Sequence, residues 1–283
     1  MAEPTNLCAL APEPFTAWAT AVGTLPSASP HSRALAATVA DRLAATPADV
    51  PGPVADSAAA VPAPKFVEQF VVDVSGITTA MRSEAFAILG PDAFTTVQVL
   101  YVLDLGTRMN AAFRQLFGAP PEVGGVESAD LWTTLEQFMP AVARLTALDP
   151  LTTDLVRLRG ARAHDCRLCQ SLRNVHAART FGDDTRFDQV DDFESSDLTE
   201  RQKTALRLVD AMIWQPVTWP DGLADQLRDA YSAAELVELV LDIVRNSANK
   251  IAVAFGADDP HVTKGVEYYD TDANGDLVYG LTL

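Results

Sequence analysis

Cysteine is scarce: this chain of 283 residues has three, and Cys8 stands far from the other two. A disulfide-stapled secreted scaffold needs a denser framework, so a hydrophobic core must hold the fold, and the expected setting is the reducing cytoplasm. Basic residues are also few, 21 against 38 acidic ones, for a net charge of −17. Binding nucleic acid requires clustered Lys and Arg to neutralise phosphates, so no such partner is expected, and the acidity reads as a device for solubility. No run of 18 apolar residues free of charge occurs, and the opening MAEPTNLCALAPEP lacks the basic stretch of a secretory signal. Neither a membrane span nor a cleaved leader is expected.

Strand-like alternation is scarce too. What is plentiful is apolar sequence, 48% of the chain, recurring at three- and four-residue spacing. In 236-LVELVLDIVRNSANKIAVAF-255, Leu236, Leu239, Val240, Ile243, Ser247, Ile251 and Ala254 share one broad helical face. The fold class is therefore all-α, with helices predicted over 64–80, 81–89, 92–117, 129–147, 150–163, 166–179, 198–213, 220–230 and 233–255. Asp197, three residues before Glu200, reads as a capping box for the 198 helix. Segments rich in Pro, Ala and Ser at 24–32 and 46–64 read as connections, 119–128 as a linker, and the acidic stretch from Asp183 to Glu194 as a solvated loop.

The chain also matches itself. Segment 102-VLDLGTRMNAAFRQLFG-118 lies over 240-VLDIVRNSANKIAVAFG-256 at an offset of 138, and 9-ALAP-12 lies over 147-ALDP-150 at the same offset. Two matches at one offset predict a tandem duplication, with halves 1–122 and 123–283. The same offset sets Ala28 and His31 opposite Cys166 and Cys169, so the first half is a degenerate copy without the dithiol.

The chemistry concentrates in 150-PLTTDLVRLRGARAHDCRLCQSLRNVHA-177. Asp165 is a suitable N-cap, which would put Cys166 at the first position of a helix and Cys169 at the fourth. That spacing lets the two sulfurs meet. A helix N-terminus favours a thiolate, Arg162, Arg167 and Arg173 add positive charge, and Asp165 opposes them. Asp154 suits either a proton relay or an ion pair with Arg157 or Arg159 on its own helix.

The run LDPLTTDLVRLRGARAHDCRLC, with the helices downstream to 256, closely resembles the carboxymuconolactone decarboxylase / alkylhydroperoxidase D superfamily, over about 139–256 and over the first half only through the repeat. The resemblance implies an AhpD-like helical bundle, homo-oligomeric assembly and reduction of a hydroperoxide, with recharging by a thiol or dithiol reductant protein. It further implies that Cys169 is the peroxidatic thiol, Cys166 the resolving one, and Asp154, twelve residues before Cys166, stands where the family has Glu. Because the family's smaller members assemble as hexamers, a duplicated subunit would form a trimer. One position departs from the pattern: the family's His, four residues after the second Cys, is Arg173 here. A guanidinium cannot take a proton, though it can stabilise a thiolate. His164, just before the cysteines, is the substitute candidate, whereas His176 would lie about 10 Å along the helix from Cys169 at ~1.5 Å rise per residue.

Competing readings are a decarboxylase-like lyase, for which four scattered histidines give little basis, and a non-catalytic helical oligomer whose dithiol senses oxidation. Zinc held by Cys166, Cys169 and His164 or His176 would fall short of the four ligands of a structural site, so neither metal nor organic cofactor is expected. Trp214 and Trp219, beside Pro216 and Pro220, read as the seal of a subunit contact or pocket wall. The tail 270-DTDANGDLVYGL-281 imitates a calcium loop, but Leu281 stands where the bidentate Glu belongs. Asn274-Gly275 there reads as a hairpin turn.

Overall fold

Proline opens three of the helices, because its missing N–H would have no intrahelical partner at that position anyway. The computed structural model describes residues 6–54, 60–121, 126, 128 and 130–283. In chain order the first half contributes α1 (Leu7–Leu10), α2 (Pro12–Ala28), α3 (Ser32–Leu43), α4 (Pro64–Val72), α5 (Thr79–Leu89) and α6 (Ala93–Phe117). The second half contributes α7 (Leu131–Ala143), α8 (Pro150–Ala163), α9 (Arg167–Gln170), α10 (Val175–Phe181), α11 (Glu200–Trp214), α12 (Leu223–Ala230), α13 (Ala233–Asn246) and α14 (Asn249–Phe255). Helix accounts for 66% of the structure and strand for 5%, so the molecule is mainly helical.

Several boundaries differ from the sequence expectation. The capping box of α11 is Thr199 with Gln202, two residues beyond the Asp197–Glu200 pair. The expected helix over 233–255 is interrupted at Ser247 and Ala248. The largest departure is at 166–179, where a single turn (α9) is followed by strand β1 (Leu172–Asn174) and only then by α10, capped by the Asn174 side chain. β1 pairs in parallel with β2 (Glu267–Thr271), which pairs antiparallel with β3 (Leu277–Leu281). The expected hairpin is thus present, and it recruits a third strand from the cysteine region. Its turn docks on α7, since a Cβ on Gly275, at φ +90°, would meet the Pro140 carbonyl oxygen and lie 2.7 Å from Pro140 Cα. The acidic loop forms two short 3₁₀ turns, and its Asp188 and Asp191 pair with Arg162. Half of the 119–128 linker, and with it the boundary between the halves, falls outside the described residues.

One continuous hydrophobic cluster runs through both halves. Helix α6 is its axis, packed against α3, α7 and α13. By length and apolar content the stretch Thr79–Phe117 would pass for a membrane span, but α6 carries Asp104 and Arg108 deep in the core, ion-paired to each other. Lys250 of α14 completes this cluster by pairing with Asp104 and lying over the Phe70 ring. Buried charges persist when opposite charges and hydrogen bonds compensate their desolvation, and Arg108 has both, the first from Asp104 and the second from the carbonyls of Val71, Met212 and Ile213. The Tyr101 hydroxyl donates to the Val244 carbonyl, tying α6 to α13; the internal sequence match sets α6 against α13 and α14 together.

Candidate functional site

Helix α8 ends where Asp165 takes a left-handed backbone conformation, φ +51°, which swings the chain back so that Cys166 N–H reaches the Ala161 carbonyl. The N-cap of α9 is consequently Cys166 itself, not Asp165, and its Sγ accepts the Cys169 N–H at 3.3 Å. The two cysteines are joined in a disulfide with their Cα atoms 5.3 Å apart. Their environments differ. Cys166 is fully buried, whereas Cys169 is half-buried and lines a cavity of about 130 Å³ with Arg157, Leu168, Arg245, Asn246, Asn249 and Tyr269. An incoming molecule can therefore reach Cys169 and not Cys166.

Asp154 does not line this cavity but bonds two residues that do, Arg157 and Tyr269. Asp154 Oδ1 accepts from Arg157 Nε at 2.6 Å and from the Tyr269 hydroxyl at 3.1 Å, while Oδ2 accepts from Asn174 N–H at 3.1 Å. The ion-pair reading of Asp154 thus holds for Arg157, and Arg159 pairs with Asp210 instead. Arg157 also donates to the carbonyls of Cys169 and Leu172 and lies over the Tyr269 ring. Burial opposes its charge, but Asp154 and Tyr269 outweigh that and hold it protonated. Burial, then the Asp154 charge, push the Tyr269 phenol well above its ordinary value, so it is a neutral donor to Asp154. Asn246 Nδ2 is buried without a hydrogen-bond partner among the described residues, which leaves a donor at the cavity wall.

The remaining sequence candidates lie further out. His164 donates or accepts through Nδ1 to Asn249 Oδ1 at 2.8 Å, so it stands behind Asn249. Burial and then the nearby Lys250 charge push its pKa down to about 3, which keeps the imidazole neutral. Arg173 donates to the carbonyls of Gln170 and Leu172 and lies over Phe187, and burial lowers its pKa. Arg162 and Arg167 are likewise engaged, the first with Asp188 and Asp191, the second with Asp258 and Asp259. The positive charge facing the cavity comes from Arg157 and Arg245. His176 bonds Asp270 and lines a different pocket. Among the described residues no three His, Cys, Asp or Glu side chains gather closely enough to hold a metal ion.

Sequence reasoning missed Tyr269, Arg245, Asn246 and Asn249. Only the parallel pairing of β1 with β2, which sets Asn174 opposite Tyr269, brings the tyrosine to the acid. No local pattern announces that.

No family model matches the chain, and no solved structure matches it. Two curated relatives do: the uncharacterised protein Rv2313c of Mycobacterium tuberculosis and its counterpart MT2376 from a second strain. Each is 42% identical over 225 residues, covering 76% of this chain and 79% of the relative. At that identity and coverage, the chain belongs to the same family as these Mycobacterium tuberculosis proteins.

Proposed function

We propose that this chain is a thiol-dependent peroxidase or disulfide reductase of the alkylhydroperoxidase D kind. The observation that carries the reading is the asymmetry of the dithiol: Cys169 opens onto a cavity lined by Tyr269, which bonds Asp154, while its partner Cys166 is fully buried beside it. In the first step the Cys169 thiolate attacks the O–O bond of a hydroperoxide. Sulfenic acid forms on Cys169, and the alcohol leaves after taking one proton. Cys166 then displaces water from the sulfenic acid to close the disulfide, and a thiol or dithiol reductant protein returns two electrons and two protons. Asp154, through Tyr269, takes the proton that the Cys169 thiol loses on ionising and returns it to the departing alkoxide. His164 acts only through Asn249, and Arg173 acts by shaping the 170–172 backbone.

Local structure supports an ancestral duplication behind this arrangement. Pro12 and Pro150, which match at the repeat offset, each open a helix, and Gly118 and Gly256 each end one in a left-handed conformation. A duplicated bundle in the cytoplasm, assembled as a trimer, is the corresponding oligomer and location.

Peroxidase turnover with cumene hydroperoxide and a dithiol reductant tests the function. Turnover by the wild type and its loss in Cys169→Ser are the expected results. Turnover that survives Cys169→Ser overturns the assignment. The sensor reading is favoured by one specific observation, the engagement of Arg173 with backbone carbonyls and Phe187, away from proton transfer. It predicts one stoichiometric oxidation without turnover.

A further inference from the structure

A second pocket, of about 410 Å³, shares Tyr269 and Arg245 with the cysteine cavity. Val142, Leu145 and Leu148 form an apolar wall, and Glu238 and Asp242, one turn apart on α13, form an acidic floor. Glu238 is satisfied by the Ala147 N–H. Asp242 is not satisfied: it is only 3% exposed, and its Oδ2 has no hydrogen-bond partner among the described residues. An unpartnered carboxyl at that depth is costly, and native interiors rarely leave one unless something arrives to fill it.

The internal sequence match supplies the comparison. At an offset of 138, Asp242 lies opposite Asp104, and Asn246 lies opposite Arg108. Asp104 is equally buried, but it is held by Arg108 and by the ammonium of Lys250. Asp242 faces Asn246 where Asp104 faces Arg108. Arg245, which lines the same pocket, donates its Nε to the Met139 carbonyl and forms no ion pair with Asp242. The Asp242 Oδ2 stays unpartnered, and no ammonium is at hand among the described residues. We propose that the Asp242 pocket binds a small protonated alkylamine, its ammonium bridging Asp242 and Glu238 and its hydrocarbon lying on Val142, Leu145 and Leu148. A metal ion is the poorer occupant, since the described residues offer no ligand cluster and the wall is apolar. The site does not depend on the dithiol reading.

Burial and then the Glu238 charge push the Asp242 carboxyl up to about 8, with Arg245 offsetting part of it. The other charged groups around the pocket are already engaged: Asp154 with Arg157 and Tyr269, Asp270 with His176, and Arg245 with the Met139 carbonyl. An ammonium that needs Asp242 ionised must therefore displace its proton below pH 8, so amine affinity should rise about tenfold per pH unit up to that point.

Calorimetric titration of the full chain with n-hexylamine, 1-hexanol and hexanoate tests this. Saturable binding of the amine alone is expected, with a rise in affinity of about tenfold between pH 6 and 7. Asp242→Asn should weaken it at least tenfold and Glu238→Gln severalfold, while Cys169→Ser leaves it intact and His176→Gln leaves the pH slope in place. The wild-type slope needs no variant, so misfolding of Asp242→Asn does not spoil the test. Absence of hexylamine binding, equal binding of hexanol, a flat pH profile, or stabilisation by calcium in its place would each overturn the proposal.

Discussion

Replacing Tyr269 with Phe removes one hydroxyl and keeps the ring that Arg157 covers at 5.4 Å. The hydroxyl is the donor to Asp154 Oδ1, and the residue is 6% exposed, so the substitution makes no cavity and leaves no orphaned donor. A hydrogen bond to a charged acceptor is worth about 1.5–3 kcal/mol. Asp154 keeps Arg157 and Asn174, so the loss should fall near the lower bound, about 1.5 kcal/mol. At roughly 2–4 °C per kcal/mol for domains approaching this size, the melting temperature should drop by about 3–6 °C. The effect on turnover should be much larger. If Tyr269 passes protons between Asp154 and the Cys169 cavity, its loss removes a general acid–base contribution of about 10²–10⁴-fold. Stopped-flow oxidation of the reduced protein by cumene hydroperoxide reads this as a fall in the second-order rate. Tyr279→Phe is the matched control, because Tyr279 lines the same cavity without touching Asp154 and should stay within about twofold of wild type. A Tyr269→Phe rate within twofold of wild type, or equal losses in both variants, would refute the relay.

Lys250→Met should destabilise the chain by about 3 kcal/mol in urea denaturation, because Asp104 keeps only Arg108 as its buried counter-charge. Adding Asp104→Asn should recover part of that loss; a double variant less stable than the single one would show that the pair is not coupled. Asp242 gives a stability signature of its own. Its carboxyl is raised from 3.8 to about 8 by burial and by Glu238, so the folded chain holds a proton that the unfolded chain releases. This contribution is fully present below about pH 4 and is lost as pH rises through 8, at up to about 1.4 kcal/mol per unit. Wild type should therefore lose stability relative to Asp242→Asn between pH 5 and 8, and parallel curves would contradict the burial argument.

Much of this molecule was written in short-range pattern. The apolar spacing of 236–246 and of 249–255, the prolines at 12, 64 and 150, and the Asn274-Gly275 turn each specify a local conformation through sterics within a few residues, and each does so here, although the break at Ser247 and Ala248 is not in the pattern. The Cys-x-x-Cys spacing brings two sulfurs together on one turn, and the i,i+3 spacing of Asp154 and Arg157 predicts their ion pair. What the tertiary structure alone decided lies between distant segments. Residues 166–179 have helical spacing, yet the C-terminal hairpin captures 172–174 as a strand, because its backbone hydrogen bonds and the Asn174 cap outweigh weak helix propensity over so short a stretch. That capture carries Tyr269 to Asp154 across 115 residues and builds the Cys169 cavity. Folding likewise gave Asp104 its lysine from 146 residues away and left Asp242 without one, a difference that no window of sequence contains.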